Sequence, residues 1–360
     1  VRLEPGEELE LNLVLGVVVD EDEADNMVAC YADAAKIEDE FEAMRSENTE
    51  RLGGLKLETP DNPLNRLFSV WLKHELHLMA DWARFYFKGY RDTCQDSAGM
   101  SIIGPDRAKG MLKKALRNQR SDGFCPRAFR VASMDIAAAD KHYADSPSWI
   151  SHATDAILGE TGDLSFLDET VPYSDEGEAT VWEHNLKAVE FLWNDRGDRG
   201  LSLVHYGDWN DLMDKVGIKG KGQGVWMSFA LARVLKLVAK IAGWRGEDDV
   251  VKTCNDRYEE LKANILKHGW DGDHFIYSIN DEGMRIGTKD AEEGQYFINP
   301  QSWSLLSGVL SAEEYTKIAK TIEPIVDTPA GPVHNWPPFT QYQPGIGQLT
   351  GTPPGFFTNG

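Results

Sequence analysis

Several things are scarce in this 360-residue sequence. No apolar run approaches the ~18 uninterrupted residues that a membrane-spanning helix needs. The start, Val1-Arg2-Leu3-Glu4-Pro5, lacks the basic stretch and apolar run of a secretory leader. There is no initiator Met and the chain closes on Phe357-Thr358-Asn359-Gly360, so we expect a piece of a longer protein. Cysteine is sparse: Cys30, Cys94, Cys125 and Cys254 lie far apart with no C-x-x-C pair. That argues against a disulfide framework or a structural zinc site, and makes the cytoplasm the expected compartment. Cations are the minority, 37 Lys and Arg against 59 Asp and Glu, for a net charge of −22. Nucleic acid and anionic membranes reward clustered Lys and Arg, so neither is an expected partner. A small anion remains admissible, because a few local arginines decide that.

What is present is mostly helical periodicity. Residues 8–19 alternate at first (Glu8-Leu9-Glu10-Leu11-Asn12-Leu13) and then run apolar, which predicts a strand without sheet partners in this sequence. The acidic residues 20–25 read as a helix N-terminus and fail as a calcium loop, since the glycine of its sixth position is missing. Asp61 and Pro63 open a helix with the stripe Leu64, Leu67, Phe68, Trp71 and Leu72. Further helices are predicted over 108–116, from Ser146-Pro147 to Gly162, and over 181–192, 225–241, 250–265, 300–309 and 312–321, with a hairpin over 269–287. Helices recurring about every 30–40 residues, joined by long loops, suggest an α/α toroid whose loop face carries function.

Chemistry is concentrated in three loops. Tyr206-Gly207-Asp208-Trp209-Asn210-Asp211-Leu212-Met213-Asp214 packs carboxylates, a carboxamide and an indole together. It is either a solvated loop of Asx turns or a sugar site, where the indole stacks on a pyranose and a raised-pKa carboxyl protonates the leaving oxygen. Lys88-Gly89-Tyr90-Arg91-Asp92-Thr93-Cys94-Gln95-Asp96 holds donors and acceptors that suit hydroxyls, or a surface ion pair. Tyr296-Phe297-Ile298-Asn299-Pro300-Gln301-Ser302-Trp303 is largely explained as a helix start. His74-Glu75-Leu76-His77 has i, i+3 spacing rather than the i, i+4 of zinc proteases, and Gly220-Lys221-Gly222-Gln223-Gly224 lacks the preceding strand of a phosphate loop. No metal or cofactor is expected.

Taken together, these segments resemble the inverting disaccharide phosphorylases of glycoside hydrolase family 94. The carrying motifs are Gly207-Asp208-Trp209-Asn210-Asp211 with Met213 and Lys215-Val216-Gly217, and Gly89-Tyr90-Arg91-Asp92-x-x-Gln95-Asp96. Residues 160–168 with Val171-Pro172-Tyr173, then Asn299-Pro300-Gln301-Ser302-Trp303, Pro344-Gly345 and Asn359-Gly360, continue in family order. The resemblance implies a mainly α chain. Residues 1–19 would end an N-terminal β-sandwich, 20–58 form a helical linker, and 59–360 form an incomplete (α/α)6 catalytic barrel. It further implies Asp211 as general acid, with Arg91, Asp92 and Trp209 binding the sugar and Gln301 as a weaker neighbour. Asp208 and Asn210 would shape the loop.

Inorganic phosphate, a co-substrate rather than a cofactor, would attack a β-linked oligosaccharide and release an α-sugar 1-phosphate. A homodimer is implied for the longer protein. Some positions depart from the family. Phe357 and Thr358 stand where a basic-acidic pair is usual. Arg84 or Lys88 would have to supply the basic residue before Arg91-Asp92. The stretch 122–129 lacks a His-Trp-Trp-His run, and the phosphate-binding His would lie beyond Gly360, so the piece alone is expected to be inactive. Two alternatives stay open: an inverting hydrolase with Asp92 or Glu293 as second carboxylate, and a non-catalytic carbohydrate-binding relative.

Overall fold

The computed structural model describes residues 2–360 except 10, 12, 14, 17, 19, 32, 82–86, 131–135, 138–140 and 330. Arg84 therefore lies outside the described residues. The chain divides into two compact units, Val1–His77 and Leu78–Gly360.

In the first unit, α1 (Glu21–Tyr31) carries Glu21, Asp22 and Glu23 in its first turn, where the helix dipole favours negative charge. Helix α2 (Ala34–Gly53) is capped by Asp33, whose carboxylate accepts from the Ala35 N–H at 2.9 Å. Helix α3 (Asn62–Arg66) begins as the sequence predicts, with Asp61 accepting from the Leu64 N–H at 3.0 Å and Pro63 in the first turn. It runs through a π-helical stretch, Leu67–Trp71, into α4 (Leu72–Asp81), within which the division between units falls.

Two expectations fail here. The stripe Leu64, Leu67, Phe68, Trp71 and Leu72 is exposed rather than buried, because the described elements of this unit pack nothing over it. The described residues of 8–19 form no strand, and Leu11, Leu13 and Leu15 are 72%, 92% and 99% exposed. Alternating leucines bury a face only when a ladder partner holds the strand.

The second unit is built around α9 (Val225–Arg245), of whose 21 residues fifteen are buried. A helix apolar on all sides must be surrounded, and α9 packs against α7 (Ser148–Thr161), α8 (Val181–Asn194), α10 (Asp248–Gly269) and α11 (Ile298–Leu306). Helices α5 (Tyr90–Met100) and α6 (Pro105–Leu116) pair with each other and with α7, and α12 (Ala312–Val326) pairs with α11. The boundaries follow local chemistry. Thr180 with Glu183 and Ser311 with Glu314 form capping boxes at α8 and α12. Gly162 and Gly246, at φ +64 and +76, end α7 and α9 in the left-handed conformation that glycine adopts freely. Among the described residues, no helix is long and apolar enough to cross a membrane.

Short strands stiffen the connections. Phe87–Gly89, immediately before α5, pairs antiparallel with Ala128–Arg130, which pairs in turn with Ile136–Ala137. Ser202–Leu203, Gln223–Gly224, Ser278–Ile279 and Arg285–Ile286 form a four-stranded antiparallel sheet, the last two being the hairpin predicted over 269–287.

The loop 208–215 is stitched to residues 343–350. The Leu349 N–H donates to the Leu212 carbonyl at 2.8 Å, and the Gln348 N–H and side-chain amide donate to the Asp214 carboxylate at 3.0 Å each. Gly347, at φ +112, allows this: a Cβ there would lie 2.1 Å from Asp214 Oδ1. Gly347→Ala is expected to destabilise the protein by about 2 kcal/mol, adding backbone strain to the loss of the Asp214 contacts. Denaturant unfolding checks this, and an unchanged midpoint would contradict it.

Candidate active site

Gly89 caps α5 and sets Arg91 and Asp92 in its first turn. A Cβ at Gly89 would fall 1.8 Å from Asp92 Oδ2 and 2.9 Å from Arg127 Nη1, so the missing side chain lets both groups close in. Arg127 stands just before the strand Ala128–Arg130, and its carbonyl accepts from the Tyr90 N–H at 3.0 Å. One hydrogen-bonded corner thus presents Arg91, Asp92 and Arg127 together.

The site has two layers. In the buried layer, Arg91 Nη1 donates to Asp145 Oδ2 at 2.7 Å, with side chains only 10% and 1% exposed. Asp145 Oδ2 also accepts from the Trp149 indole N–H at 2.9 Å, so one carboxylate oxygen takes both donors. Asp208 is fully buried; its Oδ1 accepts from the Asn210 N–H at 2.8 Å and the Tyr277 hydroxyl at 2.9 Å. Burial pushes the Asp208 carboxyl up to about 7, against those two hydrogen bonds and nearby Arg91, with the Asp145 charge adding to the rise. Asp145 Oδ1 and Asp208 Oδ2 are buried without a hydrogen-bond partner among the described residues.

In the outer layer, Asp211 is 39% exposed and Arg127 22%. Asp211 Oδ2 accepts from Arg127 Nη2 at 2.5 Å, while Oδ1 has no hydrogen-bond partner among the described residues and lies 3.6 Å from Arg91 Nη2. Arg127 also lies 3.9 Å from Asp92 and stacks its guanidinium 5.2 Å from the centre of the Tyr143 ring. Burial, and then the Asp211 charge, raises the Tyr143 phenol to about 12. Trp209 is half-buried and lies against His334, with ring centres 5.3 Å apart and planes at 27°. Burial lowers His334 to about 4, leaving a neutral ring under the indole at neutral pH.

Four sequence candidates, Arg91, Asp92, Trp209 and Asp211, therefore come together or lie on the same loops. Gln301 does not serve as expected. Its amide is fully buried and committed to backbone, accepting from the Phe275 N–H at 2.9 Å and donating to the Phe275 carbonyl at 2.6 Å and the Phe297 carbonyl at 3.1 Å. An amide saturated in this way holds the segment that carries Tyr277 rather than a sugar hydroxyl. Glu293 is likewise committed, binding the Thr340 N–H at 3.1 Å and the Thr340 hydroxyl. Thr358 touches the loop that carries Asp211, donating from its hydroxyl to Asn210 Oδ1 at 2.9 Å, whereas Phe357 is 81% exposed.

Sequence reasoning missed Arg127, Asp145 and Tyr277. Arg127 sits in a Gly- and Pro-containing loop ahead of a strand, a place where function concentrates, and that was its only signal. Asp145 and Tyr277 enter through tertiary contacts that no spacing reveals.

The Asp208 carboxyl makes stability pH-dependent with a defined sign. Its value rises from 3.8 to about 7 on folding, so the folded protein keeps a proton that the unfolded chain releases across that window. The native state binds more protons there, and this contribution to stability falls as pH rises from about 4 to about 7. Asp208→Asn mimics the neutral acid and removes the effect. Thermal melts from pH 4 to 8 are expected to show the difference between variant and wild type moving in the variant's favour. Parallel curves would contradict it.

Comparison with known proteins shows the family and the fold. The sequence profile of the glycosyl hydrolase 94 superfamily catalytic domain matches residues 48–360. Solabiose phosphorylase of Paenibacillus borealis is 35% identical over 99% of this chain and 46% of its own length. Cellobionic acid phosphorylase of Neurospora crassa is 31% identical over 97% of this chain and 45% of its own. The chain thus spans about half the length of these relatives. A GH63 mannosylglycerate hydrolase from Thermus thermophilus, solved in complex with glucose, shares the fold. Its TM-score is 0.51 at 13% identity, over 74% of this chain and 77% of that one. The chain belongs to the glycosyl hydrolase 94 superfamily, of which it carries catalytic-domain sequence.

Proposed function

We propose that this member of the glycosyl hydrolase 94 superfamily carries the proton-donating half of an inverting glycoside phosphorylase site, acting on a β-linked disaccharide or oligosaccharide. The supporting observation is Asp211, a partly exposed carboxyl held by Arg127 on one oxygen and approached by Arg91 on the other, on the loop that also carries Trp209. In this reading residues 59–360 are part of an (α/α)6 toroid, with 20–58 as linker and 1–19 as the end of a sandwich. A homodimer of the full-length protein belongs to the same proposal.

The reaction needs two things. A sugar alkoxide leaves slowly unless protonated, and Asp211 supplies that proton to the glycosidic oxygen. The attacking group is an anion already, so no second carboxylate is required to activate it. It does need positive charge, because a phosphate approaching Asp92, Asp145 and Asp211 would otherwise be repelled. Arg127 meets that need. Before phosphate arrives it pairs with the Asp211 carboxylate; a phosphate dianion then draws the guanidinium to itself, and the released carboxylate takes up from water the proton that it passes to the glycosidic oxygen. Arg91, Asp92 and Trp209 hold the non-reducing sugar.

The test is to supply the full-length protein with cellobiose, laminaribiose, sophorose or cellobionic acid, each with phosphate, and follow sugar 1-phosphate. Formation that depends on phosphate is expected, and silence across a wider β-linked panel would overturn the reading. Release of free sugar without phosphate would instead favour the hydrolase. Asp211→Asn is expected to lower kcat/KM by about 10³-fold while sugar still binds, in the range of a lost general acid. Arg127→Ala is expected to cost about 10²-fold, expressed mainly in the phosphate dependence. Equal loss of folding in both variants would make the cluster structural.

A further inference from the structure

We propose that His142, Asp195 and His205 form a binding site for a divalent transition metal, with Zn2+ as the ion that fits the donor set best. Each residue offers one ligand atom, and these atoms all lie within 4.8 Å of one another. Asp195 follows the last residue of α8 and points both carboxylate oxygens at His205 Nε2, at 2.8 and 2.9 Å. The His142 ring stacks on His205 with centres 4.0 Å apart and planes at 16°. Its Nε2 is buried without a hydrogen-bond partner among the described residues.

A proton shared between Asp195 and His205 satisfies those two residues and leaves the His142 nitrogen unused. A metal ion engages all three. Two imidazoles and one carboxylate suit Zn2+, with water completing the coordination. Sparse, scattered cysteines argue against a structural zinc site and no metal is expected from the sequence; this donor set departs from that expectation and uses no thiolate.

Two further features favour a cation here. Asp195 lines a cleft of about 650 Å3 that also holds Asp122, Glu183, Glu190 and Lys187; Arg120 pairs with Asp122 and Arg257 with Glu190, which leaves a small net negative charge on the cation's side. His205 is held at φ +54, in the left-handed region, between bridges that Tyr143 makes to His205 and Gly207. Surrounding structure therefore fixes the backbone of this ligand. The motion required is local. Imidazole lone pairs lie in the ring plane, so parallel rings cannot both aim at one ion, and His142 must turn out of the stack. A bound ion would tie the end of α8 to the segment carrying Asp145 and to the loop 208–211, because His142 and His205 each stand three residues before one of those aspartates.

The experiment uses untagged full-length protein, stripped with EDTA and dialysed against micromolar ZnCl2, with metal content measured by mass spectrometry. Co2+ loading, read by visible absorption, reports the coordination directly. About one zinc per chain is expected to depend on these residues, with a zinc-dependent rise in Tm. His142→Gln, Asp195→Asn and His205→Asn are each expected to weaken binding by roughly tenfold or more and to change the Co2+ spectrum. Asn tolerates the left-handed backbone at position 205, so that variant separates ligand loss from misfolding. Wild-type protein that retains no zinc overturns the proposal whatever the variants do. Zinc held with the same affinity and spectrum by all three folded variants overturns it as well, since the ion would then sit elsewhere.

Discussion

The buried pair between Arg91 and Asp145 is the contact on which the candidate site depends. It joins the first turn of α5 to the segment before α7, groups 54 residues apart in sequence, at 2.7 Å and nearly out of water. Charges buried this deeply are costly unless each is matched, so removing one partner typically costs ~3–5 kcal/mol. Arg91 therefore cannot be read as a substrate contact alone. It fixes Asp145 and the Trp149 indole behind it, and its other nitrogen lies 3.6 Å from Asp211. The loop carrying Asp211 is positioned against charge that the fold has already neutralised.

That layering resolves an apparent conflict in the composition. A chain with a net charge of −22 is a poor general host for phosphate. What matters is the local balance around the acid, where Arg91 and Arg127 face Asp92, Asp145 and Asp211. Asp208 adds only part of a negative charge near neutral pH, since burial pushes it up to about 7. Once Arg127 has turned to phosphate and Asp211 has taken up its proton, the two arginines face Asp92 and Asp145 alone. The anion is then held without strong net repulsion.

Helix signals were legible because they are local. The Asp61 cap with Pro63, the glycine stop at Gly162 and the apolar run of α9 need only neighbouring residues, and each appears where the spacing predicts it. Arg91, Asp92, Trp209 and Asp211 were singled out through ordered motifs, and the structure places Arg91 near Asp211 and Arg127 near both Asp92 and Asp211. Gln301 was misassigned because the sequence around it does not show that Phe275 and Phe297 take all of its hydrogen bonds. Arg127 and Asp145 were missed for the converse reason: their roles exist only across chain separations of 84 and 54 residues. The described residues of 8–19 form no strand and the stripe after Asp61 is exposed, because amphipathic pattern predicts a buried face only where something packs over it.

In the proposed reaction Asp211 donates the proton to the leaving group. Leaving-group dependence tests it most directly. The full-length Asp211→Asn variant is compared on a β-linked disaccharide and on the 2,4-dinitrophenyl glycoside of the same non-reducing sugar, both with phosphate. Dinitrophenolate departs without protonation, so the variant is expected to lose turnover of the disaccharide but keep nearly wild-type formation of sugar 1-phosphate from the aryl glycoside. Equal loss on both substrates would contradict it.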